Sequence, residues 1–92
     1  MKYRVRPTTQ FRRDLKLMVK RGYDPELLAA VVRRLAAGEA LPEKYRDHPL
    51  QGEYRGCREC HITPDWLLVY ETDGAELYLY LTRTGSHSDL FG

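Results

Sequence analysis

The apolar run Trp66-Leu67-Leu68-Val69-Tyr70 constrains the fold of this chain more than any other feature of the sequence. Its apolar side chains are continuous instead of alternating, which is typical of a strand that is buried on both faces. Pro64 lies just before it, and proline cannot donate a ladder hydrogen bond and favours a turn. The sequence therefore predicts a polar turn at Thr63-Pro64-Asp65, preceded by His61 and attached to a rigid central strand.

Residues 1–92 are expected to form a single domain, because a chain of this length supports one modest core. The apolar fraction of 42% and the charged fraction of 30% are typical of a folded protein. No apolar run approaches the roughly 20 residues that a membrane span requires. The first residues alternate between polar and apolar types and do not resemble a secretory signal. A cytoplasmic protein without a membrane partner is therefore expected.

Basic side chains are concentrated at the start of the chain. Residues 1–21 carry eight basic side chains and one acidic side chain, a net charge of +7, whereas residues 22–92 carry seven basic and twelve acidic side chains, a net charge of −5. Such a block favours a polyanion or an acidic protein as a partner. The alternative interpretation is a helix whose charged face is simply solvated.

Two amphipathic helices are predicted after a short first strand. The first helix is capped by Thr8 or Thr9 and ends at Gly22, and Asp24-Pro25-Glu26 is a strong start signal for the second helix, which Gly38 ends. The apolar stripe of the first helix consists of Phe11, Leu15, Met18 and Val19. The short link between them predicts a helical hairpin.

The second half of the chain has the pattern of a β-sheet. After a polar loop at residues 39–52, strands are predicted at residues 54–62 and 66–71, followed by a hairpin turn at residues 72–74 and a last strand that starts at Leu77 and is ended by Thr84-Gly85. The order β-α-α-β-β-β predicts an α+β fold in which the two-helix hairpin covers one face of a mostly antiparallel sheet.

The segment Cys57-Arg58-Glu59-Cys60-His61 matches the C-x-x-C-H signature of c-type haem attachment, and C-x-x-C also occurs in zinc and redox sites. In an extended strand, however, positions three apart face opposite sides of the sheet. Cys57 and Cys60 therefore cannot hold one ligand together without a bulge. We expect neither haem nor metal at these cysteines, which are interpreted as buried, reduced strand residues.

A small set of side chains remains that can carry out chemistry. These residues are Tyr45, His48, His61, Asp65, Arg83 and His87. The sequence contains no glycine-rich phosphate loop and no nucleophile elbow. Imidazoles titrate near neutral pH, so two of them together with a cation are sufficient for RNA cleavage without a metal. This function requires that the sheet bring the histidines together.

Three sequence blocks resemble the YafQ-type branch of the RelE/ParE toxin superfamily. They are Tyr45-Arg46-Asp47-His48-Pro49-Leu50-Gln51-Gly52, His61-x-x-Pro64-Asp65-Trp66 and Arg83-Thr84-Gly85-x-His87-x-x-Leu90-Phe91-Gly92. The resemblance implies a compact RelE-like, microbial RNase-like fold. It also implies a ribosome-dependent endoribonuclease without a cofactor, which cuts mRNA in the A site. A toxin of this kind is neutralised by a cognate antitoxin of the RelB/DinJ type.

The resemblance also implies roles for individual residues. His87 is the expected general acid, and either His48 or His61 is the expected base, with Asp65 orienting or assisting it. Substrate contacts are expected from Trp66, Arg83 and Phe91, with Arg83 supplying charge to the phosphate. The exposed basic residues of the first helix are expected to contact ribosomal RNA; they are Arg12, Arg13, Lys16 and Lys20.

Two other functions are consistent with part of these sequence features. A ParE-like toxin would share the fold and inhibit a topoisomerase without cleaving RNA. A non-enzymatic nucleic-acid-binding module would use the basic first helix alone. Neither alternative has a use for three histidines in separate blocks, so the histidines favour the nuclease.

Overall fold

The computed structural model describes all 92 residues, and they form five strands and three α-helices. The elements in chain order are β1 (Arg4–Pro7), α1 (Thr9–Lys20), α2 (Pro25–Ala36), β2 (His48–Pro49), β3 (Arg58–Thr63), β4 (Trp66–Asp73), β5 (Tyr78–Gly85) and α3 (His87–Phe91). Two 3₁₀ turns, Glu43–Tyr45 and Gly52–Tyr54, flank β2. None of the helices is long and apolar enough to cross a membrane.

The strands form one sheet with the order β1-β5-β4-β3-β2. Every neighbouring pair is antiparallel except β1 and β5, which are parallel. Helices α1 and α2 cover one face of this sheet, and their apolar stripes form the main core with the strands. The predicted α+β fold with a mostly antiparallel sheet is confirmed.

Local sequence signals explain both long helices. The Thr8 side chain accepts a hydrogen bond from the amide of Phe11, and the Asp24 side chain accepts one from the amide of Glu26. These two caps satisfy amide donors that have no partner within the helix. Gly22 follows α1 with a φ of +97°, a left-handed conformation that glycine adopts without strain.

Strand β4 lies at the centre of the molecule, and its residues Trp66 to Tyr70 are all buried. Leu68 and Tyr70 pack into the core beneath the helices, whereas Leu67 and Val69 pack with Leu90 on the opposite face. The prediction of a strand buried on both faces is therefore confirmed. Side chains of the turn before β4 are consequently held by the most rigid part of the sheet.

The structure differs from the predicted elements in the polar loop, at the start of β3 and at the C-terminus. The polar loop contains a two-residue strand, β2, which pairs with β3. Strand β3 begins at Arg58 and not at residue 54, because residues 52–54 form a 3₁₀ turn and Gly56 has a φ of +95°. The C-terminal residues form α3, which the sequence patterns do not predict.

Helix α3 packs directly on the end of β5. A Cβ atom at Gly85 would lie 2.9 Å from the Cβ of Asp89, so only glycine permits this approach. Ser86 and Asp89 form a reciprocal capping box at the start of the helix. Leu90 is buried against Leu67 and Val69, which fixes a helix too short to be stable alone.

Thr84 joins two buried strands, and its replacement tests how much this contact stabilises the sheet. Its hydroxyl accepts a hydrogen bond from the Trp66 indole at 2.8 Å and donates one to the Leu67 carbonyl at 2.6 Å. Thr84→Val preserves the volume but leaves the buried indole N–H of Trp66 without its acceptor and removes one hydrogen bond to the Leu67 carbonyl. We expect a loss of about 1–3 kcal/mol in the free energy of unfolding, measured by urea denaturation.

Thr72→Val is the matched control, because Thr72 is exposed on β4. Its effect should remain within about 0.5 kcal/mol. Equal unfolding free energies for the two variants would mean that the Trp66–Thr84 contact contributes nothing.

Candidate active site

A cleft of about 730 Å³ lies beside the turn between β3 and β4. Its lining residues are Leu27, Lys44, Tyr45, Arg46, His61, Ile62, Thr63, Pro64 and His87. They come from α2, from the first 3₁₀ turn, from β3 with its turn, and from the start of α3. Segments that are distant in sequence therefore meet at this cleft.

The three histidines form a row along one side of the sheet. The ring centroids of His48 and His61 are 6.4 Å apart, and those of His61 and His87 are 5.7 Å apart. His48 lies on β2, His61 on β3, and His87 is the first residue of α3. The predicted meeting of the histidines is thus present in the structure.

The Nδ1 atoms of His48 and His61 each face a backbone carbonyl. His48 Nδ1 lies 2.6 Å from the carbonyl oxygen of Arg46, and His61 Nδ1 lies 3.3 Å from that of Pro64. A carbonyl can only accept a hydrogen bond, so both Nδ1 atoms are the protonated ones. The Nε2 atoms of the two rings are therefore the ones left for proton transfer.

Glu59 is a functional candidate that the sequence analysis does not identify. Its side chain is buried, and Oε1 lies 3.4 Å from His48 Nε2 and 3.5 Å from His61 Nε2. The available signal was the alternation of β3, since residues 59 and 61 share one face of a strand. The register adds the second histidine, because His48 is the cross-strand partner of Glu59.

Asp65 pairs with His87, which corrects the expectation that it assists His48 or His61. Its Oδ1 accepts hydrogen bonds from His87 Nδ1 at 3.1 Å and from the His87 amide at 3.3 Å. The side-chain hydrogen bond from His87 is the main cause that lowers the pKa of Asp65. The turn after β3 directs Asp65 toward α3, and the carbonyl of Pro64 faces His61 instead.

Arg83, the expected phosphate ligand, is engaged by a carboxylate within the protein. Its Nε and Nη2 donate to Asp14 at 2.7 and 3.1 Å, and Nη1 donates to the Tyr54 hydroxyl at 3.3 Å. The hydrogen bonds that Arg83 donates to Asp14 are the main cause that raises the pKa of Arg83. Asp14 is buried and also accepts from the amide of Thr84. The charge of Arg83 is therefore compensated in this structure.

The two aromatic residues expected at the substrate have different environments. Trp66 is fully buried in the main core, where the centre of its ring lies 5.2 Å from that of Tyr23, so it presents no surface to a substrate. Phe91 is 49% exposed, and its ring meets that of Tyr54 edge-on at 5.8 Å. Only Phe91 has a free face on which a base could stack.

The basic residues of the first helix do not belong to the cleft. Side chains of all four are exposed on α1, and none lines the cleft; they are Arg12, Arg13, Lys16 and Lys20. They are therefore available to a separate polyanionic surface.

The two cysteines lie in different apolar clusters, but only Cys60 is the buried strand residue that was expected, because Cys57 is half-buried and precedes β3. Cys60 is in the main core beneath the helices, whereas Cys57 packs on the opposite face of the sheet. Burial raises the pKa of both thiols. A different set could hold a metal ion, since one ligand atom each from Glu59, His61 and His87 lie within 4.8 Å of one another.

Comparison with known proteins gives a consistent picture. Residues 3–92 match the family described as "Bacterial toxin of type II toxin-antitoxin system, YafQ". The chain is 40% identical over 84 residues to the mRNA interferase toxin YafQ of Escherichia coli K12, covering 90% of this chain and 89% of that protein.

Solved structures show the same fold. The toxin in the crystal structure of the E. coli DinJ–YafQ complex is 37% identical, with a TM-score of 0.88 over 98% of this chain and 99% of that chain. A metal-bound toxin from Helicobacter pylori is 47% identical, with a TM-score of 0.91 over 99% of this chain and all of that chain.

An ion pair joins Arg21, the residue just after α1, to Asp89 of α3, the helix that begins with His87. The Arg21 guanidinium donates to the two oxygens of Asp89 at 2.7 and 3.3 Å. Hydrogen bonding from the Arg21 side chain, together with a hydrogen bond from the Ser86 amide, holds the pKa of Asp89 well below its usual range. A carboxyl group with a lowered pKa stabilises the fold above its ordinary pKa of about 3.9 and loses this effect as the pH falls through the lowered value.

Asp89→Asn should therefore be less stable than the original chain at pH 7, and the difference should shrink below about pH 4. The reason is that Asp89 becomes protonated in the original chain, first in the unfolded state. Urea unfolding between pH 7 and pH 3 measures both free energies. Glu76→Gln, at an exposed carboxylate without an ion pair, should show no such convergence. A constant difference across this pH range would contradict the assignment.

Proposed function

The chain belongs to the YafQ family of bacterial toxins of type II toxin–antitoxin systems, and we propose that it is an mRNA interferase, an endoribonuclease that cleaves mRNA. The observation that carries the proposal is the row of His48, His61 and His87, of which His61 and His87 line the cleft. In each ring Nδ1 faces an acceptor, so the three Nε2 atoms are available for proton transfer. Imidazole exchanges protons near neutral pH, which general acid–base catalysis requires.

Cleavage of RNA without a metal begins with attack by the 2′-hydroxyl on the neighbouring phosphate. A base removes the proton from this hydroxyl while the new bond from the 2′-oxygen to phosphorus forms. The bond from phosphorus to the 5′-oxygen breaks, and an acid protonates the departing oxygen. The products are a 2′,3′-cyclic phosphate and a 5′-hydroxyl end, so no oxidant and no cofactor is consumed.

His87 is the proposed general acid. Asp65 accepts a hydrogen bond from Nδ1 of His87, which fixes the orientation of the ring. The carboxylate also stabilises the protonated imidazole that holds the proton to be donated. The Nε2 proton then faces the departing 5′-oxygen. His87 is the first residue of α3, so the proposed acid lies at the opposite end of the histidine row from His48.

His48 or His61 is the proposed base, assisted by Glu59. At 3.4 and 3.5 Å, neither Nε2 forms a direct hydrogen bond of ordinary length with the Glu59 carboxylate. A 2′-hydroxyl can therefore reach one of these nitrogens. The buried carboxylate then stabilises the imidazolium that forms when the proton arrives.

Phe91 is the proposed platform for a base of the mRNA. Its exposed ring is held edge-on by Tyr54 and shares α3 with the acid, His87. Stacking of a base on an aromatic ring contributes about 1–3 kcal/mol in proteins that bind single strands. Stacking here would fix the chain relative to His87.

Ribosome binding is part of the proposal, with mRNA cleaved in the A site in the cytoplasm. The exposed basic face of α1 is proposed to contact phosphates of ribosomal RNA; its residues are Arg12, Arg13, Lys16 and Lys20. A cognate antitoxin of the DinJ type is the proposed second partner, because the E. coli relative forms a DinJ–YafQ complex. A topoisomerase inhibitor would have no use for the histidine row, which favours the nuclease.

Single replacements of the histidines test the catalytic part of this proposal. His48→Ala, His61→Ala and His87→Ala should each slow mRNA cleavage on purified ribosomes by on the order of 10² to 10⁴, because each removes a proton donor or acceptor. The assay maps new mRNA 5′ ends and follows their rate of appearance at saturating ribosome concentration.

Thr72→Ala is the control, at an exposed position far from the histidine row. Thermal melts of all four variants separate loss of chemistry from loss of the fold. Folded variants at all three histidines that cut mRNA at the original rate would disprove histidine catalysis.

Charge reversal on α1 tests ribosome binding separately. Arg12→Glu combined with Lys16→Glu should weaken ribosome association and reduce its salt dependence, because fewer phosphate contacts release fewer counterions. Sedimentation with ribosomes at 50 to 300 mM salt measures both effects. Arg33→Glu with Arg34→Glu, on α2, gives the same change in net charge and should have little effect. Equal losses for the two pairs would show that net charge alone controls binding.

A further inference from the structure

Cleavage of a phosphodiester needs a positive charge at the phosphate, because negative charge builds up there in the transition state. Several arginines near the histidines are already paired with carboxylates. Arg83 is paired with Asp14, and Arg58 with Asp47. A phosphate ligand for the proposed mRNA cleavage, on which this inference rests, is therefore a cation without such a partner.

Arg46 is an exposed cation at the cleft, which it lines together with His61 and His87. Its guanidinium is in none of the ion pairs of the molecule and donates no side-chain hydrogen bond within the chain. Nothing in the protein therefore compensates its charge. Of the nearby carboxylates, Asp65 accepts hydrogen bonds from His87, and Glu59 faces the Nε2 atoms of His48 and His61.

The backbone at Arg46 is in the left-handed conformation, with a φ of +49°. A non-glycine residue adopts this conformation at a cost, and such residues concentrate at functional sites. This turn also orients His48, because the Arg46 carbonyl oxygen accepts a hydrogen bond from His48 Nδ1, 2.6 Å away. One residue thus orients an imidazole through its backbone while its side chain extends at the cleft.

Lys44 is the other free cation at the cleft, but its environment differs. Its ammonium lies 5.1 Å from the centre of the Tyr45 ring, which already attracts it. A guanidinium also presents two parallel donors that match two oxygens of one phosphate, whereas an ammonium is a point charge. These differences favour Arg46.

We infer that Arg46 is a further catalytic residue, which binds the scissile phosphate and stabilises the charge that develops on it. His48, His61 and His87 move the protons, and Arg46 supplies the positive charge beside them. Arg83 then acts within the protein, where it joins Asp14 to Tyr54.

Two replacements of Arg46 separate charge from backbone geometry. Arg46→Asn removes the charge and keeps a residue that tolerates the left-handed conformation, and Arg46→Lys keeps the charge. In single-turnover cleavage of mRNA at saturating ribosomes, Arg46→Asn should be slower by on the order of 10² to 10³. Arg46→Lys should recover at least a tenth of the original rate. Arg34→Gln, an unpaired arginine on α2, is the charge-matched control and should cleave normally.

Additional measurements keep the outcomes distinct. Ribosome binding of Arg46→Asn should be unchanged, and the ¹⁵N shift of His48 Nδ1 should match that of the original chain, because the carbonyl remains. Equal slowing of Arg46→Asn and Arg46→Lys, or a full rate for Arg46→Asn, would overturn the inference. The original chain failing to cleave mRNA would instead overturn the proposed function, independently of Arg46.

Discussion

The arrangement of this molecule depends on the hydrogen bonds that the buried Asp14 carboxylate accepts from β5. Asp14 accepts hydrogen bonds from Arg83 and from the amide of Thr84, so it joins α1 to the last part of β5. A buried carboxylate is tolerated only when such partners compensate it, since leaving it unpaired costs several kcal/mol. The chain leaves β5 at this point and forms α3, which carries His87 and Phe91. A contact remote from the cleft thereby sets the position of two functional side chains.

Pairing also decides what the basic block at the start of the chain can do. Arg21 is part of this block by composition, yet its guanidinium holds Asp89 and so serves the fold. Other members, such as Arg12 and Lys16, have no carboxylate within reach and keep their charge free for a partner. The net charge of a segment is therefore a poor guide to function until the partner of each side chain is known.

Helices and the central strand are the parts of this fold that local patterns determine. The stripe of α1, the cap at Asp24 and the continuous run of β4 each have one favourable solution, so the sequence predicts them. The pairing of β2 with β3 involves only two residues, and no periodicity can reveal a strand that short. Helix α3 depends on tertiary contacts of Leu90 and Asp89, so its sequence alone does not show it.

The same distinction applies to the candidate site. The histidines could be selected from residue type and resemblance, but their hydrogen-bond partners depend on register. Glu59 meets His48 only because β2 pairs with β3 in one register, and a shift by one residue would turn Glu59 to the other face. Asp65 meets His87 only because α3 begins beside the turn before β4. Partners set by pairing between distant segments are beyond what a linear pattern can specify.

The row of three histidines therefore has two halves that are held in different ways. His48 and His61 are attached to the sheet, and the carboxylate between them is buried in β3. His87 lies on a helix of five residues, which is stable only while Leu90 and Asp89 remain in contact with the rest of the protein. Changes that loosen α3 should thus act on the proposed acid and on the Phe91 platform together, and leave the proposed base in place. The difference arises because β5 ends at Gly85 and α3 begins at His87, so the proposed acid lies just outside the sheet that holds the proposed base.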